Sequence, residues 1–166
     1  AAYAVGRIAD DTTKVRLKPL ATSEAGDDPN DELKGCSLMA LWPDHMKVEE
    51  LFTAITTIKQ TNYIGAYWMF LSNELVPKLK PSDLPVALKW VEQQESLQDS
   101  TYCFEKLMDS IMLKAWEHLD SSKVLEAFAK AVLFRFKHHH KIVGSSTEPA
   151  FRNILSNKDN NDKRRK

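Results

Sequence analysis

Two stretches near the N-terminus decide the fold class: AAYAVGRIAD at residues 1–10 and DELKGCSLMALW at residues 31–42. Both consist mainly of helix-forming residues, and the acidic turn DDPND at residues 27–31 leads into the second. Small-plus-aliphatic pairs, Ala4-Val5 and Ala40-Leu41, recur about 36 residues apart, a spacing typical of helical repeats. Because residues 1–10 are helix-forming without a preceding cap, we expect a slice of a longer array of stacked helices.

The rest of the chain predicts further helices joined by short turns. Apolar residues recur at three- and four-residue spacing, and the alternation typical of strands is never sustained. We therefore predict an all-α fold, either an α-solenoid or a compact array of antiparallel helices. One domain is expected over residues 1–156, followed at 157–166 by a polar tail or the truncated start of another helix. The predicted helices after residue 10 cover residues 14–21, 32–42 (or 29–42 if Pro29 is its first residue), 48–58, 64–79, 83–92, 104–119, 123–143 and 149–155.

Several residues indicate where helices begin and end. Asp28 is placed to cap the second helix of that series, with Pro29 at its first position, where a missing N–H costs nothing. Pro77 is expected to kink or stop its helix, and Ser82 to cap the next one. Gly144 suits the left-handed position that follows a helix C-terminus.

The helix that follows residue 122 carries two apolar faces. A helix that is apolar on two sides is expected to lie between neighbours on both. We therefore predict that this helix is sandwiched. The first face consists of Val124, Ala127, Phe128 and Ala131, and the second of Leu125, Ala129, Val132, Leu133 and Phe136.

Composition narrows the class of partner. Lys+Arg and Asp+Glu number 23 each, so the formal net charge is zero, whereas nucleic-acid-binding domains usually carry a basic excess. The two cysteines, Cys36 and Cys103, fall inside helical patterns and predict packing in a reducing, cytoplasmic setting rather than a disulfide. No apolar run reaches membrane-spanning length, so no membrane partner is expected.

Residues 1–42 resemble HEAT repeats. The matching residues are the segment AVGRIAD at 4–10, Asp28, the segment DELK at 31–34, and Ala40-Leu41. The family usually carries Arg where Lys34 stands, which is a mild departure. The resemblance implies paired antiparallel helices that stack into a solenoid, with residues 43–156 as further helices.

A broader resemblance, over about residues 1–155, is to a helical region of large bacterial NACHT-type (STAND) NTPases. Lys47 stands where that pattern tends to have a helix-capping Thr, so the helix there is expected to start from Asp44. The histidine run at 138–140 is also not part of the pattern. The matching segments are DELKG at 31–35, ALWPD at 40–44, EELF at 49–52, IGAY at 64–67, DLP at 83–85, LKAWEHL at 113–119 and LEAFAK at 125–130.

The resemblance implies a partner-sensing role. Proteins of this class are signalling switches, several of them in bacterial defence, and their repeats recognise a trigger or hold the switch closed. The nucleotide-binding loop itself is absent from the sequence, because no G-x-x-x-x-G-K-[ST] motif occurs and the five glycines are scattered.

No pattern of residues predicts catalysis, a cofactor or a metal. Adjacent helical residues point about 100° apart, so the three histidines at 138–140 cannot all bind one ion. Together with Arg135, Lys137 and Lys141 they are typical of a basic helix end. Glu117-His118 is expected on a solvated face, and Cys36 and Cys103 in the core. The basic residues at 163–166 are diluted by Asp159 and Asp162 and indicate a solvated terminus.

The aromatic residues are the better indicators of binding. We expect the four tryptophans to pack mainly between helices, with a minority alternative in which one or two anchor a partner. Tyr63, Tyr67 and Trp68 cluster best for such a contact. The tryptophans are Trp42, Trp68, Trp90 and Trp116.

The sequence thus favours a non-catalytic interaction, scaffold or sensor module within a larger NTPase signalling protein. Its partner would be another protein or other domains of the same chain, and self-association of two copies stays open. Two alternatives remain: a structural spacer between domains, and a nucleic-acid-binding helical repeat. An enzyme would need carboxylates or histidines that converge from different helices.

Overall fold

The computed structural model describes residues 4, 8–22, 26–60, 62–94, 102–139, 142–144 and 147–156. Every regular element within these ranges is helical, so the predicted all-α fold is confirmed. The chain divides into two compact units, Ala1–Leu79 and Lys80–Lys166, where the sequence predicts a single domain over 1–156. The predicted solenoid stacking stays a prediction. Most of the helix predicted at 1–10, and all of the tail at 157–166, lie outside the described residues.

The described residues of the first unit include five short α-helices. The last of them continues as a π-helical segment, Phe70–Glu74, and ends in a 3-10 turn, Val76–Lys78. Pro77 lies in that turn, so the predicted stop is found there. The helices are α1 (Asp11–Val15), α2 (Lys18–Ala21), α3 (Glu32–Leu41), α4 (Val48–Ala54) and α5 (Ala66–Met69).

Helix α3 is the centre of the first unit, and α1, α2 and α5 all pack against it. A Cβ at Gly35 would collide with the backbone of Ala66 and Tyr67, so only glycine allows α3 and α5 to approach this closely. The indole of Trp42, just beyond α3, is buried and donates from Nε1 to the Leu75 carbonyl at 3.2 Å. The close approach of α3 and α5 therefore depends on Gly35.

Three predicted helix boundaries in this unit are wrong. The helix predicted at 14–21 is two helices, α1 and α2. Helix α3 begins at Glu32, the later of its two predicted starts, after a left-handed Asp31. Asp28 is not its cap, and instead accepts from the backbone N–H groups of Leu33 and Lys34. Helix α4 begins at Val48 after Lys47 rather than at Asp44, because the Glu50 carboxylate accepts from the Lys47 N–H at 2.9 Å, and it ends at Ala54 rather than at residue 58.

Where the structure describes the second unit, it forms four α-helices and a short 3-10 turn, Pro81–Asp83. Helix α6 packs against both α7 and α8. Trp90 of α6 contacts Phe104 with ring centroids 5.9 Å apart, and Trp116 of α7 meets Phe128 and Phe151 at 6.1 and 5.6 Å. The helices are α6 (Leu84–Glu92), α7 (Tyr102–Glu117), α8 (Ser122–His139) and α9 (Glu148–Ser156).

Two predicted capping residues in the second unit have other roles. Ser82 does not cap α6, since the residue before that helix is Asp83 and the Ser82 hydroxyl donates to the Asp83 carboxylate. Gly144 is not in the left-handed region, and its N–H donates to the carboxylate of Asp109 at 2.9 Å. Gly144 therefore helps to hold a buried acid rather than ending α8.

Candidate functional site

The three aromatic residues predicted as partner contacts fall in different environments. Tyr67 is 1% exposed, and its hydroxyl accepts from the Thr56 N–H at 3.0 Å and donates to the Thr56 carbonyl at 2.7 Å. Tyr63 is 40% exposed and Trp68 is half-buried. Tyr67 therefore cannot touch a partner in this fold, and only Tyr63 and part of Trp68 remain accessible.

Tyr67 belongs instead to a buried polar cluster around Lys34. The Lys34 side chain is 1% exposed, and its Nζ donates to Thr56 Oγ1 at 2.6 Å and lies 4.8 Å from the centroid of the Tyr67 ring. Burial lowers the pKa of Lys34 to about 8, against the opposing attraction of Asp31. A lysine that is partly neutral near pH 8 is a nucleophile by chemistry, but here its amine is enclosed.

Asp31 and Lys59 complete the cluster. Asp31 is 1% exposed, accepts from the Lys59 N–H at 2.9 Å and pairs with Lys59 Nζ at 3.3 Å. The same ammonium group donates to the Asp28 carbonyl at 2.8 Å. These bonds hold the segment after α4 against the start of α3, so the cluster stabilises the fold of the first unit.

A cavity of about 500 Å³ lies beside α2 and α4. Lys18 and Glu50 both line it, and they form an ion pair with each other at 3.2 Å. Thr56 also lines the cavity and links it to Lys34 through the hydrogen bond described above. Because the opposite charges of Lys18 and Glu50 pair with each other across its wall, the cavity fits a gap in packing better than a ligand-binding site.

The second unit holds a buried ion pair that the sequence did not indicate. Arg135 Nη2 and Asp109 Oδ1 are 3.0 Å apart, with side chains 3% and 2% exposed. Arg135 Nε and Nη1 are buried and have no hydrogen-bond partner in the part of the chain that the structure describes. Burial lowers the pKa of Arg135, with Asp109 acting in the opposite direction. Arg135 thus contributes to the core and not to the basic helix end in which the sequence places it.

The other candidates for chemistry are engaged in packing or face solvent. Cys103 is fully buried, and burial followed by Glu32 raises the pKa of the half-buried Cys36, the opposite of activation. His138 stacks on Phe134 with ring centroids 4.5 Å apart, whereas the side chain of His139 and all of His140 lie outside the described residues. Among the described residues no three His, Cys, Asp or Glu side chains are grouped to hold a metal ion.

The tryptophans lie mostly in the two cores. Trp42, Trp90 and Trp116 are 5, 6 and 7% exposed, and Trp68 is half-buried. Glu117 is exposed and His118 is half-buried. The Trp116 Nε1 is buried and has no hydrogen-bond partner within the described ranges. The expectation that tryptophans pack between helices is thus met at three of the four positions.

The second apolar face of α8 is the feature of this molecule that best fits binding. Val124 and Phe128, on the first face, are 1% and 6% exposed and belong to the core. The second face is not covered, since Leu133 is 70% exposed and Phe136 is 55% exposed. The predicted sandwich is therefore wrong for the described helices, because they bury the first face of α8 and leave Leu133 and Phe136 on the second face exposed. We call this second face the α8 stripe: Leu125, Ala129, Val132, Leu133 and Phe136, of which Leu125 and Val132 are half-buried and the other three are exposed.

A row of lysines runs along one edge of the α8 stripe. Lys123, Lys130 and Lys137 are exposed and follow one another at seven-residue intervals, which keeps them on one side of a helix with a drift of about 20° per step. Glu126 pairs with Lys130 at 2.7 Å. No ion pair involves Lys123 or Lys137 among the residues that the structure describes. We call these three residues the lysine row.

Comparisons with known proteins add no assignment, as no protein-family model, no curated protein and no solved structure matches this chain. Within the described residues, no helix combines the length and the apolar composition needed to cross a membrane.

Proposed function

We propose that this chain is a non-catalytic protein-interaction module that binds a partner through the α8 stripe. The single observation that carries the proposal is the exposure of Leu133 and Phe136 on a helix whose other face is packed in the core. Burying these two large apolar side chains against a partner would stabilise the complex, because folding alone leaves them in contact with water. The resemblance to helical regions of NACHT-type NTPases supports the wider context, a scaffold or sensor segment of a larger cytoplasmic signalling protein, with a role in bacterial defence.

The environment of the ionisable groups supports a role without catalysis. Lys34 and Arg135 are the most unusual of them, and both are enclosed by the unit to which they belong. Asp109 is also buried and is engaged by Arg135 and Gly144. A catalytic group needs access to its substrate, and these groups lack it.

A structural spacer and a nucleic-acid-binding repeat are the competing functions. A spacer predicts that polar replacement of the α8 stripe changes no interaction of the chain. A nucleic-acid-binding repeat would use the lysine row, and it predicts a salt-dependent shift of DNA or RNA mobility. The zero net charge of the chain weighs against it.

The test compares the wild-type chain with a double variant, Leu133→Ser and Phe136→Ser. Both side chains are exposed, so the variant should fold as the wild type does. We expect proteins that the wild type retains in an affinity pull-down to be lost with the double variant. Each such protein is then made pure and tested for one-to-one binding by calorimetry.

The matched control is Tyr102→Ser, which removes a side chain that is 61% exposed and lies on α7. The control should keep every partner. Identical capture by the wild type and the double variant would contradict the proposal and favour the spacer. Turnover of ATP by the purified chain would contradict the absence of catalysis.

A further inference from the structure

We propose that the α8 stripe binds one amphipathic helix of a partner protein, and that this helix carries a row of acidic residues on one flank. This inference rests on the proposed function and adds the class of partner. Three observations carry it: the spacing of the apolar residues along α8, the exposure of Leu133 and Phe136, and the placement of the lysine row.

The spacing of the α8 stripe is that of a helix–helix seam. Leu125, Ala129, Val132 and Phe136 follow one another at intervals of four, three and four residues, which is the apolar repeat of packed helices. Leu133 widens the seam on the side of the lysine row. Ala129 lies near the middle, where a small side chain lets a second backbone approach closely. A single helix fits a surface of this width.

The charges of α8 select an acidic partner. The lysine row spans fifteen residues of α8, or about 20 Å along the axis, since each residue rises about 1.5 Å. Glu126 is the only acidic residue within Ser122–His139, and it is paired with Lys130. Carboxylates at seven-residue spacing on the partner helix would face Lys123 and Lys137 and would add to the pair at Lys130.

A second copy of this chain does not supply those carboxylates through α8. Antiparallel two-fold pairing of two α8 stripes places the two lysine rows on the same side of the interface, where they repel. Parallel two-fold pairing places each lysine row along the opposite edge of the other helix. That edge adjoins the buried face with Phe128 and carries no acidic residue of α8.

An anionic membrane fits less well than a helix. Leu133 and Phe136 are the only large side chains of the stripe that are more than half exposed and so could insert into a membrane. The lysines flank only one edge of the stripe. Membrane-surface helices usually carry lysines on a broad polar face opposite a continuous apolar face. In α8, part of the helix surface where such a polar face would lie is buried, because it carries the core residues Val124, Phe128 and Ala131.

The experiment uses three stapled helical peptides as probes. All three share the same Leu/Ala seam, and they carry Glu, Gln or Lys at three flanking positions spaced seven residues apart. Binding of each labelled peptide to the whole chain is followed by fluorescence anisotropy in low and high salt. We expect the Glu peptide to bind about tenfold more tightly than the Gln peptide in low salt, and the difference to shrink in high salt. The Lys peptide should bind most weakly.

Two sets of variants separate the inference from the proposed function. Replacement of Lys123, Lys130 and Lys137 by Gln should remove the preference for the Glu peptide and leave binding of the Gln peptide unchanged. The Leu133→Ser and Phe136→Ser variant should weaken all three peptides at least about tenfold. Lys89→Gln, which neutralises an exposed lysine of α6, is the matched control and should change neither result.

Each failure has a distinct meaning. Equal binding of the three peptides, with loss on Leu133→Ser and Phe136→Ser, overturns the acidic partner but leaves the interaction surface in place. If the peptides bind the Leu133→Ser and Phe136→Ser variant as tightly as the wild type, or if no peptide binds, the α8 stripe is not a helix-binding surface and the inference is overturned. Stripe-dependent binding to vesicles of phosphatidylserine and phosphatidylcholine, or a stripe-dependent dimer in sedimentation velocity, also overturns it in favour of a membrane or a second copy.

Discussion

Raising the pH above 8 should stabilise this protein through Lys34. The pKa of Lys34 is lowered from 10.5 to about 8 in the fold, chiefly by burial. Below pH 8 the lysine is charged in both the folded and the unfolded state, and burying that charge destabilises the folded state. Between pH 8 and 10.5 the folded state releases the proton first, so the unfolded state binds more protons and stability rises with pH.

The magnitude follows from the size of the shift. One pKa unit corresponds to about 1.4 kcal/mol, so the full shift is worth about 3 kcal/mol, of which about 2 kcal/mol appears between pH 7 and pH 9.5. The assay is urea unfolding of the wild type and of Lys34→Met at a series of pH values in that range. The free energy of unfolding of the wild type should rise relative to that of Lys34→Met by about 2 kcal/mol.

The comparison with Lys34→Met isolates this lysine from the other groups that titrate at high pH. Burial also lowers the pKa of Lys114, which adds stabilisation of the same sign but is present in both proteins. Lys47→Met, at an exposed lysine of the same unit, should follow the wild type. Parallel curves for the wild type and Lys34→Met would refute the reasoning and would mean that water reaches the Lys34 ammonium.

Three further predictions concern packing and are checked by thermal or urea unfolding. Gly35→Ala should destabilise the first unit by about 2 kcal/mol or more, because the new Cβ meets backbone that cannot rotate away; stability equal to the wild type would contradict the close approach of α3 and α5. Asp109→Asn should cost about 3 kcal/mol by leaving Arg135 charged, buried and unpaired, whereas Asp109→Asn combined with Arg135→Met should cost less; equal losses would show that the two residues are not coupled. Leu133→Ser combined with Phe136→Ser should change the free energy of unfolding by less than about 1 kcal/mol; a larger loss would mean that the α8 stripe belongs to the core.

Much of the fold was predictable, because helix formation depends on local residue spacing. The order of the helices and several of their ends follow from apolar periodicity and from Pro77. The boundaries that were wrong depend on bonds between groups whose geometry the sequence does not specify. The Glu50 carboxylate accepting from the Lys47 N–H moves the start of α4, and the left-handed Asp31 moves the start of α3.

The two buried cations show what local patterns miss. Lys34 is held by Thr56, which lies 22 residues further along the chain, and Arg135 by Asp109, which lies 26 residues earlier. Spacing did offer a signal for Arg135, since it continues the buried series of Val124, Phe128 and Ala131 on α8. The basic run around it, FRFKHHHK at residues 134–141, favoured the wrong assignment to a solvated helix end.

The sequence also predicted both apolar faces of α8 but could not tell which of them would be covered. That depends on how the helices of the second unit pack, and among the described residues it is the face with Val124 and Phe128 that is buried. The wrong prediction that Tyr67 contacts a partner has the same cause. Tyr67 and Tyr63 are four residues apart, yet only Tyr67 lies where α5 approaches Gly35 of α3. Periodicity identifies apolar surfaces, and only tertiary packing decides which of them meet.

The contrast between the charges buried in this protein and the apolar side chains left exposed favours selection for binding. Burying Lys34 and Arg135 costs free energy that well-packed apolar residues would not. Exposing Leu133 and Phe136 gains nothing in the fold, and polar residues at these positions would improve solubility at little cost. Single exposed apolar residues are common on protein surfaces, whereas Leu133 and Phe136 lie together on one helix face beside the lysine row. The stripe is therefore best explained by a partner that covers it, and the lysine row by the charge of that partner.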